Sequence, residues 1–263
     1  MNTILELARA RRDATPIVMV TAYDAAMAKI IAASEIDVIL VGDSVAMVVH
    51  GFPSTVHATL EMMCLHTASV RRGAPDHLIV ADLPFLTFRR GREEAVQAAG
   101  ALLRAGATAV KLEGVEGHEE VVAHLVGSGI PVMGHLGLTP QSVNQLGGYR
   151  MQGRSQAEAE QLAAHALQLE ALGAFSLVLE CVPAALAESV TEALTIPTIG
   201  IGAGDKTSGQ VLVLNDLLGL DAKFRPRFAR RYFDGHASLL DALNRYARDV
   251  RTARFPSPAE VLA

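Results

Sequence analysis

The sequence predicts an α/β protein, a single (β/α)8 TIM barrel over residues 1–263 with an extra N-terminal helix and C-terminal helices. Three observations carry this. The length of 263 residues is close to the roughly 250 of one such barrel. Apolar runs alternate with helical stretches, and the runs are continuous, as parallel strands buried on both faces require. The runs also end in polar residues: Asp43 with Ser44, Asp82, Lys111 with Glu113, His135 and Glu180. In a closed parallel barrel the carboxyl ends of different strands meet over one mouth. An open sheet would instead gather its ligand groups at one switch point.

The elements follow in order. Residues 3–12 have helical spacing and precede the barrel. Strand one is 16–23 (PIVMVTAY), and Asp24 caps a helix over 25–34. Strand two is 38–41. A helix over 60–72 stops at Gly73, with Pro75 just beyond. Strand three is 78–81, with a helix at 93–105 ended by Gly106. Strand four is 109–112, with a helix at 116–126, and strand five is 131–134. Residues 137–153 (GLTPQSVNQLGGYRMQG) lack helical period. A loop that long in a compact domain reads as a functional lid or as disorder. Ser155 opens a helix to Leu172. Strand six is 175–179, a helix spans 183–194, strand seven is 197–201, and 211–214 is a weak eighth strand. The basic stretch 223–231 (KFRPRFARR) leads into a helix at 237–251. It reads as a solvated face or a subunit contact; an RNA-binding patch is the weaker reading, for want of a wider basic field.

Composition narrows the class. Half the residues are hydrophobic, 19% are charged and the mean hydropathy is +0.28, which suits a large buried core. No segment has the roughly 18 uninterrupted apolar residues of a membrane span. The start MNTILELARARRD is too polar for a signal peptide, so a cytoplasmic protein is expected. A net charge of -5 gives no argument for nucleic acid. Cys64 and Cys181 are the two cysteines, too few for a disulfide framework or zinc cluster, and read as free thiols.

Asp43 and Asp82 each follow a buried strand, where a carboxylate is costly unless paired or metal-bound. Together with Glu113 they favour a hard cation, most simply Mg2+. Taken singly, each aspartate reads better as a cap for the following helix. Lys111 and Glu113 lie two apart on one strand and share a face. Lys111 then neutralises a substrate carboxylate, forms a Schiff base, or pairs internally with Glu113. His135 is either a catalyst or a hydrogen-bonded core residue. Glu180 ends so apolar a strand that its pKa should rise, which suits a general base; the alternative is a cap for the next helix. Gly200, Gly202 and Gly204 follow strand seven, where barrels often bind phosphate, although a tight turn alone would require them.

An ordered set of motifs spans nearly the whole chain: VTAYD (20–24), LVGDS (40–44), HTASVRRGAP (66–75), ADLPF (81–85), VKLEG (110–114), GHLGLTPQSV (134–143), GGY (147–149), LVLECVP (177–183) and IPTIGIGAG (196–204). Together they closely resemble the ketopantoate hydroxymethyltransferase family. The resemblance implies a Mg2+-dependent transferase of pantothenate biosynthesis, a cytoplasmic homo-oligomer, commonly a homodecamer, acting on small molecules. It implies transfer of a hydroxymethyl group from the co-substrate 5,10-methylenetetrahydrofolate to 3-methyl-2-oxobutanoate, giving 2-dehydropantoate. By motif, Asp43 and Asp82 match the metal-site aspartates, which the substrate also meets, and Glu113 the carboxylate supporting the metal's water shell. Ser44 and Lys111 match the groups holding the substrate carboxylate. Glu180 matches the general base, and His135 an active-site histidine. The C-terminal FPSPAEVLA and the STVHATLEMM stretch depart from the family pattern. The rival readings are an isocitrate-lyase-like Mg-dependent lyase, a Schiff-base aldolase and a catalytically silent barrel. The lyase reading lacks its usual KKCGH-like loop here.

Overall fold

In the computed structural model, which describes residues 1–261, eight parallel strands close into one barrel in sequence order, β8 pairing back to β1. The elements are α1 (Ile4–Arg12), β1 (Ile17–Thr21), α2 (Ala25–Ala32), β2 (Val38–Val41), α3 (Val45–Val48), α4 (Leu60–Gly73), β3 (Leu78–Asp82) and α5 (Arg92–Ala105). Then come β4 (Ala109–Glu113), α6 (Glu119–Gly127), β5 (Val132–Gly137), α7 (Val143–Leu146), α8 (Gln156–Ala171), β6 (Ser176–Glu180), α9 (Ala184–Ala193), β7 (Thr198–Ile201), β8 (Gly209–Leu212), α10 (Leu214–Leu217) and α11 (Gly235–Arg251). The chain forms two compact units, Met1–Val213 and a second beginning at Leu214.

The first unit is the barrel. Its interior is filled by alternate strand residues, among them Met19, Leu40, Val80, Ala109, Met133, Val178 and Ile199, in one buried cluster. Leu7 and Ala10 of α1 belong to the same cluster. The Met1 carbonyl accepts from Leu78 N–H at 2.8 Å, and the Met1 amine donates to the Asp37 carbonyl at 3.2 Å. These contacts place the chain start at the amino ends of β2 and β3, so α1 plugs the end opposite the mouth. A Thr3–Glu6 capping box starts α1, and Asp24 caps α2 as expected.

Strands three to six run one to three residues further than their apolar runs. The terminal polar residues stay in the ladder, where Asp82 pairs with Lys111, Glu113 with His135 and Gly137 with Glu180. The eighth strand begins at Gly209, two residues earlier than 211, because Ile17 and Ile199 offer it ladder partners there. The loop after β5 is not wholly irregular: a 3-10 turn (Pro140–Ser142) runs into α7. α6 starts at Glu119 rather than 116, after Gly117 takes a positive φ.

In the second unit, residues 223–231 form neither helix nor strand. Arg231 ties the segment together by donating to the Asp221 carbonyl and, at 2.9 Å, to that of Phe224. α11 carries Leu239, Leu243, Tyr246 and Val250 at helical spacing, all exposed. No helix among the described residues is long and apolar enough to cross a membrane.

Candidate active site

The interior register of the barrel builds the site. A side chain two residues beyond an interior strand position points the same way. Asp82 follows Val80, Lys111 and Glu113 follow Ala109, His135 follows Met133, and Glu180 follows Val178, each anchor lying in the buried interior cluster. The polar groups therefore form the layer above the apolar core, at the carboxyl end. Asp43 and Ser44 enter from the turn after β2.

The layer is one connected network. Asp43 N–H donates to Asp82 Oδ2 at 3.0 Å, and Lys111 Nζ lies 3.0 Å from Asp82 Oδ1. The lysine's ion pair is thus with Asp82 rather than Glu113. Lys111 Nζ is also 3.2 Å from His135 Nδ1. His135 stands between two carboxylates, with Nδ1 3.5 Å from Glu113 Oε1 and Nε2 3.2 Å from Glu180 Oε2. Ser44 Oγ is 2.9 Å from the Tyr23 hydroxyl. Asp43, Asp82 and Glu180 cap no helix: the N-caps of α3, α5 and α9 are Ser44, Gly91 and Pro183. The glycine turn after β7 has Gly202 and Gly204 at positive φ, which its tight path requires.

Burial and crowding set the electrostatics. Burial raises the Asp43 carboxyl well above its usual range, and the charges of Asp82 and Glu113 raise it further, against Lys111 and Gln141. Burial pulls Lys111 down, but Asp82, Glu113 and Asp43 more than reverse this and hold it protonated. Burial and Lys111 lower His135. Hydrogen bonds to Glu113 and Glu180 outweigh both and push it up to about 9. Burial, the larger effect, and the Glu180 charge push the Cys181 thiol up to about 11, so it is no ready thiolate.

The donor set fits a hard cation. Asp43 and Asp82 are buried, oxygen-only donors crowded with Glu113 against the single cation Lys111, and a cation between them would relieve the repulsion that raises Asp43. Asp82 Oδ1 is buried without a directed hydrogen bond, its lysine contact being off hydrogen-bond geometry. Among the described residues no three His, Cys, Asp or Glu side chains converge on one point. Mg2+ characteristically takes one or two carboxylates and keeps several waters. Glu113 is already engaged: Oε2 accepts from Gln141 N–H at 3.0 Å while Oε1 faces His135.

The ketopantoate hydroxymethyltransferase family model matches residues 1–258. The chain belongs to that family. It is 51% identical over 260 residues to a 3-methyl-2-oxobutanoate hydroxymethyltransferase of Bdellovibrio bacteriovorus, covering 99% of both chains. It is 49% identical over 248 residues to the Legionella pneumophila enzyme of that name, covering 94% of this chain and 95% of the other. Family membership makes it a hydroxymethyltransferase of pantothenate biosynthesis. Its fold is shared more widely. Phosphonopyruvate hydrolase, solved with oxalate and Mg++, superposes with TM-score 0.64 at 11% identity over 99% of this chain and 93% of that one. A 2,3-dimethylmalate lyase superposes with TM-score 0.60 at 15% identity over 100% and 92%.

Two residues of this hydroxymethyltransferase's site carried no assigned role in the sequence reading. Tyr23 is buried beside Ser44, and burial raises its phenol well above the usual range. Gln141, in the loop after β5, reaches Asp43 Oδ2 at 2.8 Å. The TAYD and LTPQS motifs contain them, but Tyr23 read as the close of the apolar run of strand one, which in the structure stops at Thr21, and Gln141 lies in a loop.

Proposed function

We propose that the chain transfers a hydroxymethyl group from 5,10-methylenetetrahydrofolate to 3-methyl-2-oxobutanoate, giving 2-dehydropantoate, with Glu180 as the base. Asp43 and Asp82 would hold Mg2+, and Glu113 would support its water shell. Bound there, the cation supplies Lewis-acid polarisation of the 2-oxo acid. Lys111, kept protonated by its acidic neighbours, is a cation for the substrate carboxylate rather than a free amine nucleophile, and Ser44 assists it. Glu180 removes the C3 proton. The freed electron pair at C3 forms the new bond to the folate-borne carbon. One of that carbon's two bonds to folate nitrogen breaks as the new bond forms, and the other breaks as water supplies the hydroxyl; the two nitrogens take up the C3 proton from Glu180 and one proton of the water. His135 holds Glu180 in place through its Nε2 contact. The same reading makes the enzyme cytoplasmic and a homodecamer.

One observation carries it. The Asp82 and His135 side chains are 4% and 3% exposed, and Glu113 is equally enclosed, whereas Glu180 is 16% exposed. Glu180 is the carboxylate of this network with room to meet a substrate carbon. The test is an NMR time course in D2O with Mg2+ and 3-methyl-2-oxobutanoate, followed by methylenetetrahydrofolate. Wild type exchanges the C3 proton and then forms 2-dehydropantoate, and EDTA stops both. Glu180→Gln loses exchange by roughly 10²–10⁴-fold. Full exchange in that variant overturns the assignment of the base.

A further inference from the structure

The loop from residue 138 to 152 is fastened to the site at three places. At its start Leu138 N–H donates to the Glu180 carbonyl at 2.8 Å, and at its end Gln152 N–H donates to the Cys181 carbonyl at 2.9 Å. Both ends therefore hang on successive carbonyls, the last of β6 and the one just beyond it. Cys181 holds φ at 46°, the left-handed region that favours glycine, and this turn aims its carbonyl at the loop. Between the two ends Gln141 is buried. Its backbone N–H donates to Glu113 Oε2 at 3.0 Å. Its Nε2 donates to Asp43 Oδ2 at 2.8 Å and to the Leu83 carbonyl at 3.0 Å. A carboxamide has two N–H donors. Both are used, so the amide cannot turn over without losing both bonds.

We propose that Gln141 is a positioning residue that makes this loop and the carboxylates Asp43 and Glu113 one cooperative unit, so that a divalent cation at Asp43 and Asp82 tightens the loop and the closed loop strengthens cation binding. The inference rests on the metal reading above. A carboxylate ligand is oriented by the donor on its other oxygen, and for Asp43 that donor is Gln141. Fixing Asp43 for the cation fixes Gln141, and with it the middle of a loop whose ends are already tied. The coupling is reciprocal by linkage. A merely structural glutamine would steady the loop to the same degree with or without cation.

The test uses the full chain and Mg2+ alone. Arg150 is exposed within the loop and reports its opening as a tryptic site. Gln141→Met keeps length and removes both side-chain donors; Gln145→Met, at an exposed position of the same loop, is the control. Wild type and the control should bind Mg2+ in calorimetry and be cleaved more slowly after Arg150 when it is present. Gln141→Met should bind Mg2+ about 10-fold or more weakly, with cleavage indifferent to it. Wild-type affinity and protection in Gln141→Met overturn the coupling alone. Wild type that binds no Mg2+ overturns the metal reading and the coupling with it. Should Gln141→Met fail to fold, amide exchange of residues 138–152 in wild type decides: protection must rise with Mg2+, and unchanged exchange overturns the proposal.

Discussion

His118 shows how burial alone sets a pH response. The residue is 4% exposed, its ring lies 5.0 Å from Phe88, and Nδ1–H donates to the Glu116 carbonyl at 3.1 Å. Nε2 is buried without a partner. Burial and the Arg89 charge lower its pKa from the ordinary histidine value, against the Glu116 and Gly114 backbone. The neutral form is therefore native, and the unfolded chain takes the proton first. Its contribution to stability is complete above about pH 6.5 and is lost as pH falls from there through the depressed folded value. Thermal melts between about pH 7 and pH 5 should fall further in wild type than in His118→Gln. Equal falls would place the acid sensitivity elsewhere. Asp43, Asp82, Lys111, Glu113, His135 and Glu180 were visible in the sequence because each interrupts or follows an apolar run, where a polar residue needs a reason. Gln141 was not, because a glutamine in a Gly- and Gln-rich loop is unremarkable until the chain folds it back over the carboxylates.

At the scale of elements, the apolar runs located all eight strands, while ladder pairing decided where they stop. A polar residue at a strand end looks like the start of a loop, yet Asp82, Glu113 and Glu180 keep their places in the sheet. Gly137 marks the sharpest constraint at such an end. Its φ is 93°, and an added Cβ would run into the Glu180 carbonyl oxygen, the acceptor for Leu138 N–H. A backbone oxygen in a ladder cannot step aside. Gly137→Ala should therefore cost roughly 1–3 kcal/mol in urea unfolding, and detach the loop from the strand of the base. Its tryptic cleavage after Arg150 should be faster than wild type even at matched stability. A neutral substitution would show that the close approach is not a constraint in solution.

The whole chain carries one feature that the barrel does not need. α11 repeats Leu239, Leu243, Tyr246 and Val250 along one stripe at i, i+4, i+7 and i+11, and they are 46–66% exposed. An Asp241–Arg245 pair at 3.1 Å lies off that stripe. Leaving four large apolar side chains of one helix in water is unfavourable, since full burial is worth about 1.5–3 kcal/mol for each such residue. The sequence showed a helix here but not that its apolar side would lack cover, because periodicity reports that a face is apolar and not what meets it. On the homo-oligomer proposed above, a second copy would supply the cover, its identical stripe being self-complementary in a two-fold contact. Leu239→Glu combined with Leu243→Glu would place two carboxylates in that contact and leaves every barrel residue unchanged. Light scattering should then give a smaller species than wild type at equal concentration, with far-UV circular dichroism of the barrel retained. An unchanged mass would mean that assembly uses another surface and that the stripe of α11 stays open to solvent.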